Sequence, residues 1–389
     1  MAERGVAQGR SLRCSDASLR RLARSGATVT MCDHSERSRR MTRPPLESSM
    51  SRDVPPPLVL VTGANGHLGY NLVQQLLARG YRVRAGVRDP ADSGKIAPLV
   101  ALGAAPVAAE LSDREALNDA ARGVAGVFHV AAVLQMWARN PDEEILRPTV
   151  EGMRNVLEAA ARARVRRVVV TSSIAAVGVE GTLERPLTES NWHERATTPY
   201  AIAKTRAERL AWQLAERDGL DVVSVIPATI IGPGFHRHTP ITRLFELVLR
   251  GWMPVALPAD TSYVDVRDVA AAEIAAFETP SASGRYIASA DFVPMRELLQ
   301  LIALRAPEVR VPRTVLPIRL LPPLIAIDWL VNKLFSVPRQ LTSEMFDEFA
   351  GRRTICSAAR SERELGWRPR SIAESVGATV DWVRARFLS

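Results

Sequence analysis

The stretch Val59-Leu-Val-Thr-Gly-Ala-Asn-Gly-His-Leu-Gly69 constrains this chain more than any other part of it. The apolar run Leu58 to Val61 reads as a buried strand. Thr62 and Gly63 open a tight turn, and Gly66 and Gly69 complete a GxxGxxG spacing. Tyr70 to Gly80 then carries apolar residues at helical spacing and ends on a glycine. Glycines let a backbone approach a pyrophosphate, and a helix start adds free N–H groups and a partial positive charge. A glycine pattern alone is weak. Set after a strand, at the start of a helix and before a second strand, Arg82 to Val87, it predicts a dinucleotide cradle rather than an ordinary turn.

The alternation continues downstream. Ala104 to Leu111 reads as a strand, and Ser112 or Asp113 caps a helix over Arg114–Ala121. Gly126 to Ala132 is a strand running into small residues, in which His129 reads as a packed residue. Pro148 to Ala160 is an amphipathic helix, and Val165 to Thr171 is a strand that ends in Ser172 and Ser173. Strands alternating with helices predict an α/β fold with a doubly wound parallel sheet of the Rossmann kind. The 389 residues suffice for a large core. We expect residues 1–53 to be a disordered extension and 54–232 to be the dinucleotide-binding core. Residues 233–389 read as a smaller substrate lobe interleaved with the last core elements. Ile241–Arg250 reads as a helix, Gly284–Ser289 as a strand, and another helix starts at Met295. With the loop Gly178 to Pro199, these pieces should lie over the sheet edge where ligands bind.

The second strand ends at Val87-Arg88-Asp89-Pro90, with Lys95 just beyond. An acid at such a tip accepts hydrogen bonds from the ribose of NAD, whereas an arginine accommodates the 2′-phosphate of NADP. Arg88 and Lys95 together favour NADP(H). NAD(H) stays open, with Asp89 turned back to the ribose and both cations left as surface charges.

Tyr200-Ala-Ile-Ala-Lys204 begins a long helix, so the phenol and the ammonium lie one turn apart on one face. An ammonium beside a phenol should lower the phenol's pKa toward working pH. Tyr200 can then exchange a proton with a substrate hydroxyl or carbonyl, while Lys204 can also hold the nicotinamide ribose. Ser173, at the end of the preceding strand, can bond the same substrate oxygen.

With these motifs in place the chain resembles an extended short-chain dehydrogenase/reductase of the NAD(P)-dependent epimerase/dehydratase family, over about residues 57 to 389. The matching pieces are Thr62–Gly69, Phe128–Ala132, Val170–Ser173, Tyr200–Lys204, Ile226–Pro233, Tyr263–Asp268 and Leu365–Pro369. The resemblance implies that Ser173, Tyr200 and Lys204 form a catalytic triad. It implies a cofactor lying on Thr62, Gly63, Asn65, Gly66, His67, Leu68 and Gly69, and on Ala131, Ala132 and Thr171 at the strand ends. Tyr200, Lys204, Pro227, Thr229 and Ile230 would flank the nicotinamide side, with Glu110 and Leu111 toward adenine. Glu110 departs from the aspartate usual at that place. Val83–Pro90 and Pro148–Gly152 look most like the dihydroflavonol-reductase-like and 3β-hydroxysteroid-dehydrogenase-like branches. In the reductase branch an arginine and a lysine at the places of Arg88 and Lys95 bind the NADP phosphate. The resemblance therefore implies an NADP(H)-dependent oxidoreductase interconverting a carbonyl and a secondary alcohol.

The rival within the family is an NAD-dependent nucleotide-sugar epimerase or dehydratase. Those enzymes commonly carry an arginine several residues before the place of Asp268, and here that region reads Pro258-Ala-Asp-Thr-Ser-Tyr263 without a cation. Arg243, Arg250, Arg267 or Arg285 can substitute. Outside catalysis, the same fold can serve as a cofactor-sensing scaffold.

Composition narrows the remaining classes. The net charge of +9 owes much to arginines before residue 54, but no basic stripe interleaved with aromatics supports nucleic-acid binding. Met50 as the true start, or a transit peptide awkwardly rich in acids, would account for that extension. Cys14, Cys32 and Cys356 are scattered, with neither metal-ligand spacing nor a disulfide framework, and no signal-peptide h-region opens the chain, so a cytoplasmic protein is expected. His236 and His238 in Gly232–Pro240 suggest a substrate-pocket lining, and a metal is not expected because no third ligand sits nearby. Val315 to Phe335 is strongly apolar but interrupted by Arg319, Pro322, Pro323, Asp328 and Lys333. It reads first as a helix packed on the small lobe, and second as a lid or weak membrane-surface helix. A homodimer stays open.

Overall fold

In the computed structural model, β1 (Leu58–Thr62) leads into α1 (His67–Ala78), and β2 (Arg82–Val87), α2 (Ser93–Ala101), β3 (Ala105–Ala108), α3 (Arg114–Ala121) and β4 (Gly126–His129) follow. The structure describes residues 56–389 apart from 336, 338, 340, 350 and 389. The extension expected at 1–53 lies outside the described residues. Next come α4 (Arg147–Arg162), β5 (Arg167–Thr171), α5 (Pro199–Asp218), β6 (Val222–Pro227) and β7 (Thr229–Ile231). After them run α6 (Pro240–Leu249), β8 (Asp260–Asp265), α7 (Val266–Glu278), β9 (Gly284–Ala288), β10 (Asp291–Val293) and α8 (Met295–Arg305). The chain closes with α9 (Leu321–Phe335), α10 (Ser343–Phe349), β11 (Arg353–Thr354), α11 (Ala359–Glu364) and α12 (Ile372–Val383).

Seven strands form one sheet in the order β3-β2-β1-β4-β5-β6-β9, all parallel. Its central strands are mainly apolar, as burial on both faces requires: every residue of β5 and β6 is buried, Arg167, Thr171 and Ser224 included. The order reverses beside β1, and that reversal opens a crevice at the carboxyl ends of β1 and β4. Ala104 to Leu111 does not run as one long strand. Pairing stops after Ala108, where the Ala109 N–H still reaches the Val87 carbonyl at 2.8 Å and the chain then turns away.

A second sheet is built on β8, which carries β10 antiparallel and both β7 and β11 parallel. Its own apolar cluster includes Phe245, Tyr263, Leu298, Ile302, Val376 and Val380, from α6, β8, α8 and α12. Two of the sequence motifs join this part to the main sheet: the Trp367 indole donates to the Asp268 carbonyl at 2.8 Å, and the Arg370 N–H donates to the Asp268 carboxylate at 2.8 Å. The loop after Gly178 pairs with the chain around Ile355, through Gly181 N–H to Arg353 O and Leu187 N–H to Ile355 O.

The stretch from Val315 does not pack as a buried helix. A single turn at Ile318–Leu320 leads into α9, in which only Leu321 is buried. No helix among the described residues is long and apolar enough to cross a membrane.

Candidate active site

The glycine turn follows directly from its residues. Gly63 sits at φ +66, and a Cβ there would lie 2.8 Å from the Ala131 Cα. Gly69 faces the turn so closely that a Cβ would lie 2.2 Å from the Gly63 carbonyl oxygen. Gly66 is the N-cap of α1 and brings no side-chain cap, so N–H groups of the first turn stay available to an anion. These features fit a dinucleotide pyrophosphate. Thr62 ties the turn to β4: its hydroxyl meets His129 Nδ1 at 2.9 Å and accepts from the Ala131 N–H at 3.3 Å. Ala131 is half-buried against Gly63, and Ala132 is exposed.

His67 contributes its backbone to the first turn of α1, but its ring is used elsewhere. Nε2 bonds the carbonyls of Gly232 and Pro233 at 3.1 and 3.0 Å, and burial pulls its pKa down to about 4, so it is neutral. It anchors α1 to the chain after β7. Thr229 and Ile230 of β7 border the same edge, after Pro227 at the end of β6.

The start of α5 is specified locally. Thr198 is its N-cap and accepts from the Ala201 N–H, Pro199 is the first helical residue, and Gly219 at φ 64 stops it. Glu348, from α10, adds a buried carboxylate that accepts from the N–H groups of Thr197 and Thr198 at 2.7 and 3.1 Å. A negative charge at this helix start is favourable. Tyr200 and Lys204 face β5. The Ser173 side chain hydrogen-bonds the Tyr200 phenol. Lys204 Nζ donates to the Thr171 carbonyl at 2.7 Å.

The expected electrostatics need a correction. Burial pushes the Tyr200 phenol above its ordinary value, and only the Ser173 bond works against that. The Lys204 ammonium points to Thr171 rather than to the phenol. Lys204 is itself pulled down to about 8 by burial, against the attraction of Glu208 and Glu273. Its charge also reaches His129, which burial and Lys204 together hold near pKa 3. Thr62, His129 and Thr171 end β1, β4 and β5, so the glycine turn and the carbonyl that holds Lys204 share one sheet edge.

The cations at the end of β2 are not free. Arg88, 85% exposed, pairs with Glu110 at 2.7 Å, and Lys95 pairs with Asp92. Glu110, expected toward adenine, therefore faces Arg88. Asp89 accepts from the Ala91 N–H and so caps its own turn. His236 and His238 do not stand out as a free pocket lining. His236 packs edge-on to Tyr70 with centroids 5.0 Å apart, and His238 lies 4.0 Å from the Phe387 ring and pairs with Glu246. Among the described residues no group of three or more metal-ligating side chains forms.

Several positioning residues escaped the sequence reading. Glu208 accepts from Ser172, Ser224 and Arg285, and Arg285 lies 3.8 Å over the Trp192 ring, which fixes the loop before α5. Its place one turn after Lys204 was the available signal. Arg243 and Arg250 both pair with Glu246, and Arg267 pairs with Asp265.

Known proteins match this arrangement. A model of the NAD dependent epimerase/dehydratase family matches residues 59–288. The chain is 37% identical to a dihydroflavonol 4-reductase of Zea mays, over 66% of this chain and 76% of that one. It is 36% identical to tetraketide alpha-pyrone reductase 1 of Arabidopsis thaliana, over 66% of this chain and 83% of that one. The UDP-glucose 4-epimerase of Thermus thermophilus, solved with NAD, superposes with a TM-score of 0.65 at 27% identity, over 84% of this chain and 99% of that one. The chain therefore belongs to the NAD(P)-dependent epimerase/dehydratase family and is an oxidoreductase with that family's Rossmann fold.

Proposed function

We propose that this chain is an NADP(H)-dependent reductase that interconverts a carbonyl and a secondary alcohol, with Ser173, Tyr200 and Lys204 as its catalytic residues. One observation carries the reading: the uncapped glycine turn follows β1, and Thr171, whose carbonyl holds Lys204, ends β5 on the same sheet edge, with Ser173 and Tyr200 beside it. The backbone from Gly63 to Gly69 would hold the pyrophosphate, and Thr171, Pro227, Thr229 and Ile230 would border the nicotinamide. Bound NADP(H) supplies or accepts the hydride. Ser173 orients the substrate oxygen, and Tyr200 passes a proton between its phenol oxygen and that oxygen. A phenol with a raised pKa is protonated at neutral pH and so is set to donate, which is the direction of carbonyl reduction. Lys204 holds positive charge beside the strand end. Residues 233–389, apart from α7 and β9, which belong to the main sheet and its core, form the substrate lobe.

NADP over NAD rests on Arg88 and Lys95. Their present partners form exposed pairs that water and salt screen, so a phosphate can displace them. The nucleotide-sugar reading is weaker, because Arg243, Arg250, Arg267 and Arg285 each hold a buried carboxylate, which would be left unpaired if they turned to a diphosphate. The names of the two reductase relatives agree with an uncharged oxygen-heterocyclic carbonyl substrate. Thermal-shift titration with NADPH and NADH, followed by NADPH oxidation assays with dihydroflavonols, pyrones and simple ketones, tests the proposal. Larger stabilisation by NADPH and turnover of a ketone are expected. Tighter NADH binding together with turnover of a UDP-sugar would reverse it.

A further inference from the structure

Most of α9 is turned away from the protein: only Leu321 is buried, and Leu324, Ile325, Asp328 and Asn332 are half-buried. The two polar ones are held by the return segment: Asp328 pairs with Arg339 at 3.1 Å, and the Asn332 amide donates to the Val337 carbonyl at 2.7 Å. The exposed side beside them carries Ile327, Leu330, Val331, Leu334 and Phe335, spaced as one helical stripe. All five are exposed, with Ile327 at 57%, Leu334 at 65% and Phe335 at 71%. A stripe of this kind ordinarily faces a core, and a contiguous exposed one marks a contact site. The return segment holds the helix in place through Arg339, which also donates to the Leu341 carbonyl at 2.9 Å.

Charge selects the occupant. Between residues 309 and 341 the chain has the cations Arg310, Arg313, Arg319, Lys333 and Arg339 against the single acid Asp328. Asp328 and Arg339 neutralise each other, while Arg310, Arg313, Arg319 and Lys333 are exposed. Lys333 lies 4.9 Å over the ring of Trp329, which is itself exposed. Apolar side chains flanked by cations and an indole suit the boundary of an anionic bilayer. A second copy of the chain suits them less, because pairing two such stripes doubles the positive charge at one interface, with only the already paired Asp328 of each copy to offset it.

We propose that α9 docks flat on an anionic lipid surface, inserting the Ile327–Phe335 stripe with Arg319 and Lys333 at the headgroups. The test is co-sedimentation of the full chain with phosphatidylcholine vesicles, with and without phosphatidylglycerol. Binding is expected to need phosphatidylglycerol and to weaken in salt. Ile327→Glu with Leu334→Glu should abolish it, with the circular dichroism spectrum unchanged. Arg319→Gln and Lys333→Gln should each weaken it roughly fivefold. Retained binding by the double glutamate variant would place the contact elsewhere and overturn the proposal. So would a wild-type dimer that ignores vesicles and turns monomeric in that variant.

Discussion

Lys204 and Glu273 are joined through a single residue: the Lys204 ammonium donates to the Thr171 carbonyl, and the Thr171 hydroxyl donates to the Glu273 carboxyl group. Burial pushes Glu273 up to about 8 from 4.5 and pulls Lys204 down to about 8 from 10.5. Glu273 keeps its proton in the folded chain where the unfolded chain has released it. Stability conferred by this group is therefore fully present below pH 4.5 and is lost as pH rises toward about 8. Lys204 acts in the opposite sense above about 8, where the unfolded chain binds the extra proton and stability recovers as pH rises toward 10.5. Glu273→Gln keeps an oxygen for the Thr171 hydroxyl and removes the titration. Melting temperature should fall for the natural chain from about pH 5 to about pH 8 and stay flatter in the variant. Parallel slopes would show that Glu273 does not hold its proton.

Tyr200→Phe separates the proton step from binding. The ring keeps its place beside Ser173, so the thermal shift with NADPH should persist. Ketone reduction should fall by about 10²–10⁴-fold, the usual contribution of a positioned acid. Steady-state rates alongside cofactor titration check this. Equal losses in both readouts would make Tyr200 a structural residue.

What the sequence displays depends on whether a residue acts through its own chain or through a distant one. Gly63 needs a left-handed backbone, and β2 and α3 have the expected bounds, because turn chemistry and periodicity are local. The helix that carries Tyr200 and Lys204 was legible for the same reason, but not that the Lys204 ammonium turns to the Thr171 carbonyl rather than to the phenol. Which charges meet was not: Arg88 finds Glu110, Arg285 finds Glu208, and Glu348 reaches the start of α5, all across tertiary contacts. Nor does apolar content give a helix its direction. Val315 to Phe335 reads as packing material, yet within α9 Leu321 alone is buried.

Glu110 sets how readily Arg88 turns to a ligand. The pair is exposed, yet the carboxylate also repels a nearby phosphate dianion. Glu110→Gln should tighten NADPH several-fold and leave NADH nearly unchanged. Arg88→Ala should weaken NADPH by roughly tenfold or more, the loss of one hydrogen bond to a charged group. Isothermal titration with both cofactors reads the ratio. A Glu110→Gln protein that gains equally for NADH would place the 2′-phosphate away from Arg88.

Two glycines in helices allow a matched test of the cradle. A Cβ at Gly69 in α1 would lie 2.2 Å from the Gly63 oxygen and 2.8 Å from the Ala64 Cα. Both are backbone atoms that cannot swing aside, so α1 must shift away from the turn. A Cβ at Gly94 in α2 would meet only an Asp92 carboxylate oxygen at 3.6 Å. Alanine is the better helix former by about 1 kcal/mol, so Gly94→Ala should be neutral or stabilising. In Gly69→Ala the same gain is set against overpacking of about 1–3 kcal/mol, and the net change should be a loss. Urea unfolding of both variants gives the comparison. Gly69→Ala should also lose most of its NADPH-induced stabilisation, because the N–H groups of the first turn move with the helix. A Gly69→Ala protein as stable and as responsive as Gly94→Ala would mean that the close approach of α1 to Gly63 does not shape the cofactor site.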